Sequence, residues 1–181
     1  MPKQKKAALS YCLLLAVAVL AHAAPSRPTF YLVPLFMLTV PVILGQKIRV
    51  ALSMGHVATG LIVSAGILAP VFLILSAGKP YHFIGFAAVF SQLLRVAIPE
   101  EVFFRGFLQQ TLGNNLRGIL IVSLLFSVAH LPAFFFLHDA SALLTFFPSL
   151  VMGYLYMRTS NVLPPVLFHL LANVVYQGFM I

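Results

Sequence analysis

The 181-residue sequence predicts an all-α, polytopic membrane helix bundle with about seven transmembrane helices. Three observations predict it. The chain is 61% hydrophobic and 8% charged, where a soluble domain carries about 25% charged residues. Its mean hydropathy is +1.04. Its apolar residues fall into seven runs, close to the ~20 residues that a helix needs to cross a hydrocarbon core about 30 Å thick. That apolar content excludes disorder. The runs lack the alternation of a membrane barrel, and lipid leaves the helix as the remaining way to satisfy the backbone internally.

The first run, Ala7–Ala24, follows the basic cluster Lys3, Lys5 and Lys6. Residues 1–24 read as a first span or as a signal-like segment. The second reading rests on the apolar stretch Leu9–Leu20 and the small-residue triplet Ala21-His22-Ala23, which has the pattern of a cleavage site. The second run, Thr29–Gly45, starts after Pro25-Ser26-Arg27-Pro28, and the third, Val50–Ser76, after Gln46-Lys47-Ile48-Arg49. Ala77-Gly78-Lys79-Pro80 precedes the fourth, His82–Gln110, and Gly113-Asn114-Asn115 precedes the fifth, Gly118–Leu137. His138-Asp139 opens the sixth, Ser141–Met157, and Arg158-Thr159-Ser160-Asn161 opens the seventh, Val162–Ile181. The breaks are rich in turn-forming residues. Their shortness predicts antiparallel neighbours in one membrane-embedded domain, 1–181, without a soluble domain or a visible repeat.

The formal charge is +8, from eleven Lys+Arg and three Asp+Glu. The basic residues stand between apolar runs, a topology signal rather than a nucleic-acid footprint. With the amino terminus inside, Lys3, Lys5, Lys6, Lys47, Arg49, Arg117 and Arg158 lie on the cytoplasmic side, and Arg27 and Lys79 outside. The expectation is amino terminus in, carboxyl terminus out. The lone Cys12 has no intrachain partner.

The fourth run differs from the other six in holding charge: Arg95, Glu100, Glu101 and Arg105. Each charge at bilayer depth costs roughly 2.5–3.5 kcal/mol on insertion scales. A structural ion-pair network, or a helix end among headgroups, is the bland reading. The spacing divides the labour: Glu101 and Arg105 are i,i+4 with the acid first, the favourable order for a pair. Glu100 is turned about 100° away and is the better carboxylate to face a water-filled interior. Pro99 removes a backbone donor and predicts a kink.

Polar groups on two other runs match this depth. Counted from the cytoplasmic run ends, Glu100 lies about 15 Å in, His130 about 18 Å, His169 about 10 Å and Asn173 about 16 Å. His169 and Asn173 share one helical face. Taken singly, each histidine reads as a packing residue and Asn173 as interhelical glue. Their coincidence in so apolar a chain points to a site. His22, His82 and His138 read as interfacial. His56, Arg95 and Asp139 receive no role.

The motifs Glu100-Glu101-x-x-x-Arg105, Phe126-x-x-x-His130 and His169-x-x-x-Asn173, in order on separate spans, resemble the CAAX protease and bacteriocin-processing (Abi) family. That family includes the type II CAAX prenyl endopeptidase, a glutamic intramembrane protease. The resemblance covers residues 82–181, the motif-bearing core. It implies catalysis by Glu100 and His130 through an activated water, with His169 and Asn173 stabilising the oxyanion and Glu101 and Arg105 supporting the site. It implies no cofactor, no metal, and a membrane-anchored protein or peptide substrate cut near its carboxyl-terminal tail. Compactness resembles bacterial members of the inner membrane, some associated with carboxyl-terminal sorting tags and others with bacteriocin maturation or immunity. Three alternatives stand beside this reading. They are a zinc site of two His and a Glu, a non-enzymatic immunity protein, and a proton-linked transporter, which small size and lack of a repeat disfavour.

Overall fold

The computed structural model describes residues 1–24 and 26–180. Pro25, in the first break, and Ile181, at the end of the seventh run, lie outside the described residues. Each of the seven apolar runs contains a helical segment: α1 (Lys3–Ala23), α2 (Arg27–Ile43), α3 (Met54–Ser76), α4 (residues 86–112), α5 (Leu116–Leu137), α6 (Ala140–Thr159) and α7 (Leu163–Gly178). No strand occurs among the described residues. By length and composition, α1, α3, α5 and α6 are long and apolar enough to cross a membrane, and α2 is a shorter apolar helix.

Local chemistry sets the boundaries. Ser26 and Thr29 form a reciprocal capping box at the start of α2, and Ser53 caps α3 by accepting from the His56 amide. His56 Nδ1 also lies 2.8 Å from Ser53 Oγ, so this histidine belongs to a helix cap. Asn115 Oδ1 accepts from the Gly118 amide to start α5. Asp139 accepts from the Ser141 amide and caps the 3-10 turn Ala140–Thr145 that begins α6.

Two helices start later than their apolar runs. Residues 50–53 are not helical. Ala51 exchanges hydrogen bonds with the Asn161 side chain, at 3.2 and 2.8 Å, and joins the third run to the α6–α7 connection. Residues 82–85 are extended up to Gly85, whose φ of 84° suits glycine, and the His82 amide donates to the Gly178 carbonyl. Hydropathy alone does not separate such segments from helix, because both are apolar.

α4 is the buried centre of the bundle. Every residue from Glu101 to Gln109 is buried. Phe103, Phe104, Phe107 and Leu108 of α4 form one core with Leu14 of α1, Met37 of α2, Phe126 of α5, Met152 of α6 and Phe168 of α7. α3 lies at the edge against α7, burying only Gly60 and Ser64 and exposing Ile62, Leu73 and Ile74. In lipid such exposure costs little. Glu101 and Arg105 sit inside the bundle, where His169 and Ser149 of other helices supply further partners, whereas Arg95 of the same run is exposed.

Two features interrupt the regular α-helix near the charges. α4 is π-helical over Leu93–Ala97 and Val102–Gln109, on either side of the α-helical turn Ile98–Glu101. Single-turn π segments often occur at functional sites because they re-aim side chains. Pro99, where the sequence predicts a kink, lies within the α-helical turn between the two π segments. α5 breaks at His130, between Leu116–Ala129 and Leu131–Leu137. Pro132 follows and cannot extend the hydrogen-bond ladder.

Candidate active site

The four charged or titratable groups at the centre form a chain across three helices. Ser149 of α6 accepts from Arg105 Nη2 through both its carbonyl, at 3.1 Å, and its Oγ, at 2.8 Å. Arg105 Nη1 donates to Glu101 Oε1 at 3.1 Å. The same oxygen lies 2.8 Å from His169 Nδ1. The other ring nitrogen, Nε2, faces Glu100 Oε2 at 3.7 Å. Arg105 and Glu101 have 0% side-chain exposure. The expected i,i+4 pair is present, and its acid also holds a histidine on another helix.

A carboxylate has no proton to offer, so the short contact makes His169 Nδ1–H the donor and Glu101 Oε1 the acceptor. That bond orients the ring and leaves Nε2 as the nitrogen turned toward Glu100, as a carboxylate does for many functional histidines. The two acids thus stand apart in access. Glu101 is sealed in the core. Glu100 is 14% exposed. Its Oε2 is buried without a hydrogen-bond partner in the protein, so the accessible portion of the group lies on the other side of the carboxyl. The contact of 3.7 Å is too long for a direct hydrogen bond.

Phe126 links the second motif to this chain. Its ring centre is 4.9 Å from the Arg105 Cζ, 6.0 Å from the His169 ring and 4.6 Å from the His130 ring. The guanidinium over an aromatic face gains from the ring quadrupole in a desolvated site. His130 Nδ1 donates to the Phe126 carbonyl at 2.8 Å, leaving its Nε2 free of that bond. Among the described residues, no hydrogen bond or ion pair joins His130 to either glutamate.

Asn173 stands one turn beyond His169 on the same face of α7 and donates through Nδ2 to Gln92 Oε1 of α4 at 3.2 Å. This bond uses one of two amide hydrogens. The structure therefore gathers Glu100, Glu101, Arg105 and His169 in direct sequence. It places His130 beside them through Phe126, and Asn173 on the adjoining turn, bonded to Gln92 rather than to the acids. The described residues contain no group of three or more His, Cys, Asp or Glu arranged to hold a metal ion.

Sequence reasoning missed Ser149 and Gln92. Both are uncharged polar residues in apolar runs, as Asn173 is, and the partners that give them a role lie 44 and 81 residues away in sequence. The unassigned residues also find places. Arg95 lies over the ring of Tyr31, 4.8 Å from its centre, and Asp139 caps α6, so the two do not pair.

No curated protein and no solved structure matches the chain. The family described as type II CAAX prenyl endopeptidase Rce1-like matches residues 82–175, just over half of the 181 residues. The match runs from the segment before α4 into α7 and contains all three motifs. The chain belongs to this family, whose members are CAAX-type intramembrane proteases, and its apolar helices fit an integral membrane protein.

Proposed function

From that membership we propose that the chain is a metal-independent glutamic endopeptidase, cleaving a membrane-anchored protein or peptide near its carboxyl-terminal tail. The observation that carries the reading is the unequal access of two adjacent acids. Glu101 is bonded on one oxygen by both Arg105 and His169, whereas Glu100 keeps an accessible side and faces a ring nitrogen 3.7 Å away. One carboxylate holds the site together and the other is available for chemistry.

In this mechanism Glu100, with His130, takes a proton from water as its oxygen attacks the scissile carbonyl carbon. The carbonyl oxygen becomes an oxyanion. His169, and Asn173 through its second Nδ2 hydrogen, stabilise it. Collapse of the tetrahedral species breaks the C–N bond. The proton held by Glu100 passes to the leaving amine. Glu101 and Arg105 orient His169 without touching substrate. A sorting tag at the carboxyl terminus of an exported protein fits a site buried among spans. The seven basic residues around the α1 start and the α2–α3, α4–α5 and α6–α7 connections support an amino terminus inside, in a bacterial inner membrane.

The test is cleavage of membrane-anchored substrates by the full chain in proteoliposomes. Glu100→Gln and His130→Ala each remove general-base capacity, so rates should fall about 10²–10⁴-fold. His169→Ala and Asn173→Ala remove oxyanion donors, worth about 10²–10³-fold each. Full activity of Glu100→Gln rejects the mechanism. Loss of activity on chelation, restored by zinc, replaces it with metal chemistry. An intact biological phenotype with Glu100→Gln would favour the non-enzymatic immunity reading.

A further inference from the structure

Of the two guanidiniums inside the fourth apolar run, Arg105 has an acid and Arg95 has none. The chain has three acidic side chains. Glu101 is taken by Arg105 and His169, Glu100 faces His169, and Asp139 caps α6. Arg95 is exposed, and among the described residues it forms no ion pair and no hydrogen bond. Its one polar-group contact is the face of Tyr31, 4.8 Å from the Cζ, which ties α4 to α2. Stacking of this kind holds the guanidinium plane and leaves its N–H edge open to a planar bidentate acceptor.

Arg95 lies nine residues after the start of α4 at Phe86, about 13 Å along the axis. It is five residues from Glu100 on the same helix, about 7 Å. A charge inside an apolar run calls for a partner, and no acidic side chain of this chain pairs with Arg95.

We propose that Arg95, stacked on Tyr31, is a specificity subsite for a carboxylate of the peptide substrate. The acceptor is either the terminal carboxylate or an acidic side chain. The inference rests on the peptidase reading of Glu100, and it concerns binding rather than the chemical step. Arg95 supplies two N–H donors to the carboxylate and fixes how far the peptide advances past Glu100.

The experiment uses the full chain carrying Glu100→Gln, which binds without cutting, in phosphatidylcholine vesicles. The probes are pools of hexapeptides with an amino-terminal palmitoyl anchor. One pool has free carboxyl termini and no acidic residues. A second is carboxamidated with one Glu. A third is carboxamidated with no acid. The first or second pool should bind about 10- to 100-fold more tightly than the third, the range for one charge-assisted pair. Adding Arg95→Gln should abolish that advantage while leaving the third pool's affinity unchanged. Arg95→Lys should restore part of it. Equal affinity of all three pools overturns the proposal, as does an Arg95→Gln loss spread equally over them. So does an Arg95 dependence on added phosphatidylglycerol instead of on peptide charge, which assigns the residue to lipid. Because the readout is binding, it holds even where the active chain fails to cleave, a failure that counts against the peptidase reading alone.

Discussion

His169 Nδ1 lies 2.8 Å from Glu101 Oε1, on the same oxygen that accepts Arg105 Nη1 at 3.1 Å. One carboxylate oxygen therefore ties α4 to α7, and Ser149 ties the arginine to α6. The bond points His169 Nε2 at Glu100, so the position of the accessible acid's partner is set by the inaccessible acid.

Removing Glu101 should unfold what removing Glu100 spares. Glu101→Ala leaves Arg105, with 0% side-chain exposure, as an uncompensated buried charge. Breaking a buried pair in this way costs about 3–5 kcal/mol. Glu100→Gln removes no such partner. Thermal unfolding in detergent should show a large drop in Tm for the first and little for the second. Matching losses reject the division of roles.

Ser149→Ala is the milder probe of the same chain. It deletes one acceptor of Arg105 Nη2 and leaves the Ser149 carbonyl at 3.1 Å. The expected cost is about 1 kcal/mol, with kcat reduced more than KM as His169 loses its fixed orientation. Unchanged kinetics confine Ser149 to packing.

Gln92 should act on the reaction through Asn173. Gln92→Leu removes the acceptor at 3.2 Å, whereas Gln92→Glu keeps one. The leucine variant should lose activity and the glutamate variant recover part of it. In an Asn173→Ala background, Gln92→Leu should add little further loss. Full additivity in this double-mutant cycle places the two residues in separate roles.

The α4–α5 turn admits no side chain at Gly118. A Cβ there would lie 1.7 Å from the Gly113 carbonyl oxygen, which is backbone and cannot step aside. Gly118→Ala should destabilise the chain strongly in denaturant titration. At Gly66 of α3 no atom lies within 4 Å of an added Cβ. Gly66→Ala should be neutral or stabilising by up to about 1 kcal/mol, the helix propensity gain.

The first helix should be retained in the mature chain. Ala7, Tyr11, Leu14, Ala18 and Ala21 are buried against the bundle, and the Tyr11 hydroxyl donates to the Leu125 carbonyl at 2.7 Å. Intact-mass measurement of protein purified from membranes should include Lys3–Ala23. A mass lacking it supports the signal-like reading instead. Tyr11→Phe should cost about 1 kcal/mol.

Much of this was legible before folding. Lipid permits few architectures, so seven apolar runs between turn-rich breaks translate into seven helical segments. Helix ends were less legible at residues 50–53 and 82–85, where non-helical backbone bonds to Asn161 and to Gly178 and hydropathy stays high. The Glu101–Arg105 pair was legible because i,i+4 geometry is local. The Glu101–His169 bond was not, since 68 residues separate its ends and hydropathy carries no register between α4 and α7.

Sequence by itself determined that this protein is a helical membrane bundle, that its charge concentrates in one run, and that the three motifs lie on separate apolar runs. Composition and local periodicity suffice for these, because they depend on neighbours in the chain. Tertiary structure decided which acid is sealed and which is reached, that Ser149 anchors the arginine, that Gln92 holds Asn173, and that Arg95 is left over Tyr31 without an acid. These depend on how α2, α4, α6 and α7 are rotated about their own axes. Packing sets those rotations, and a helix read alone presents every face equally.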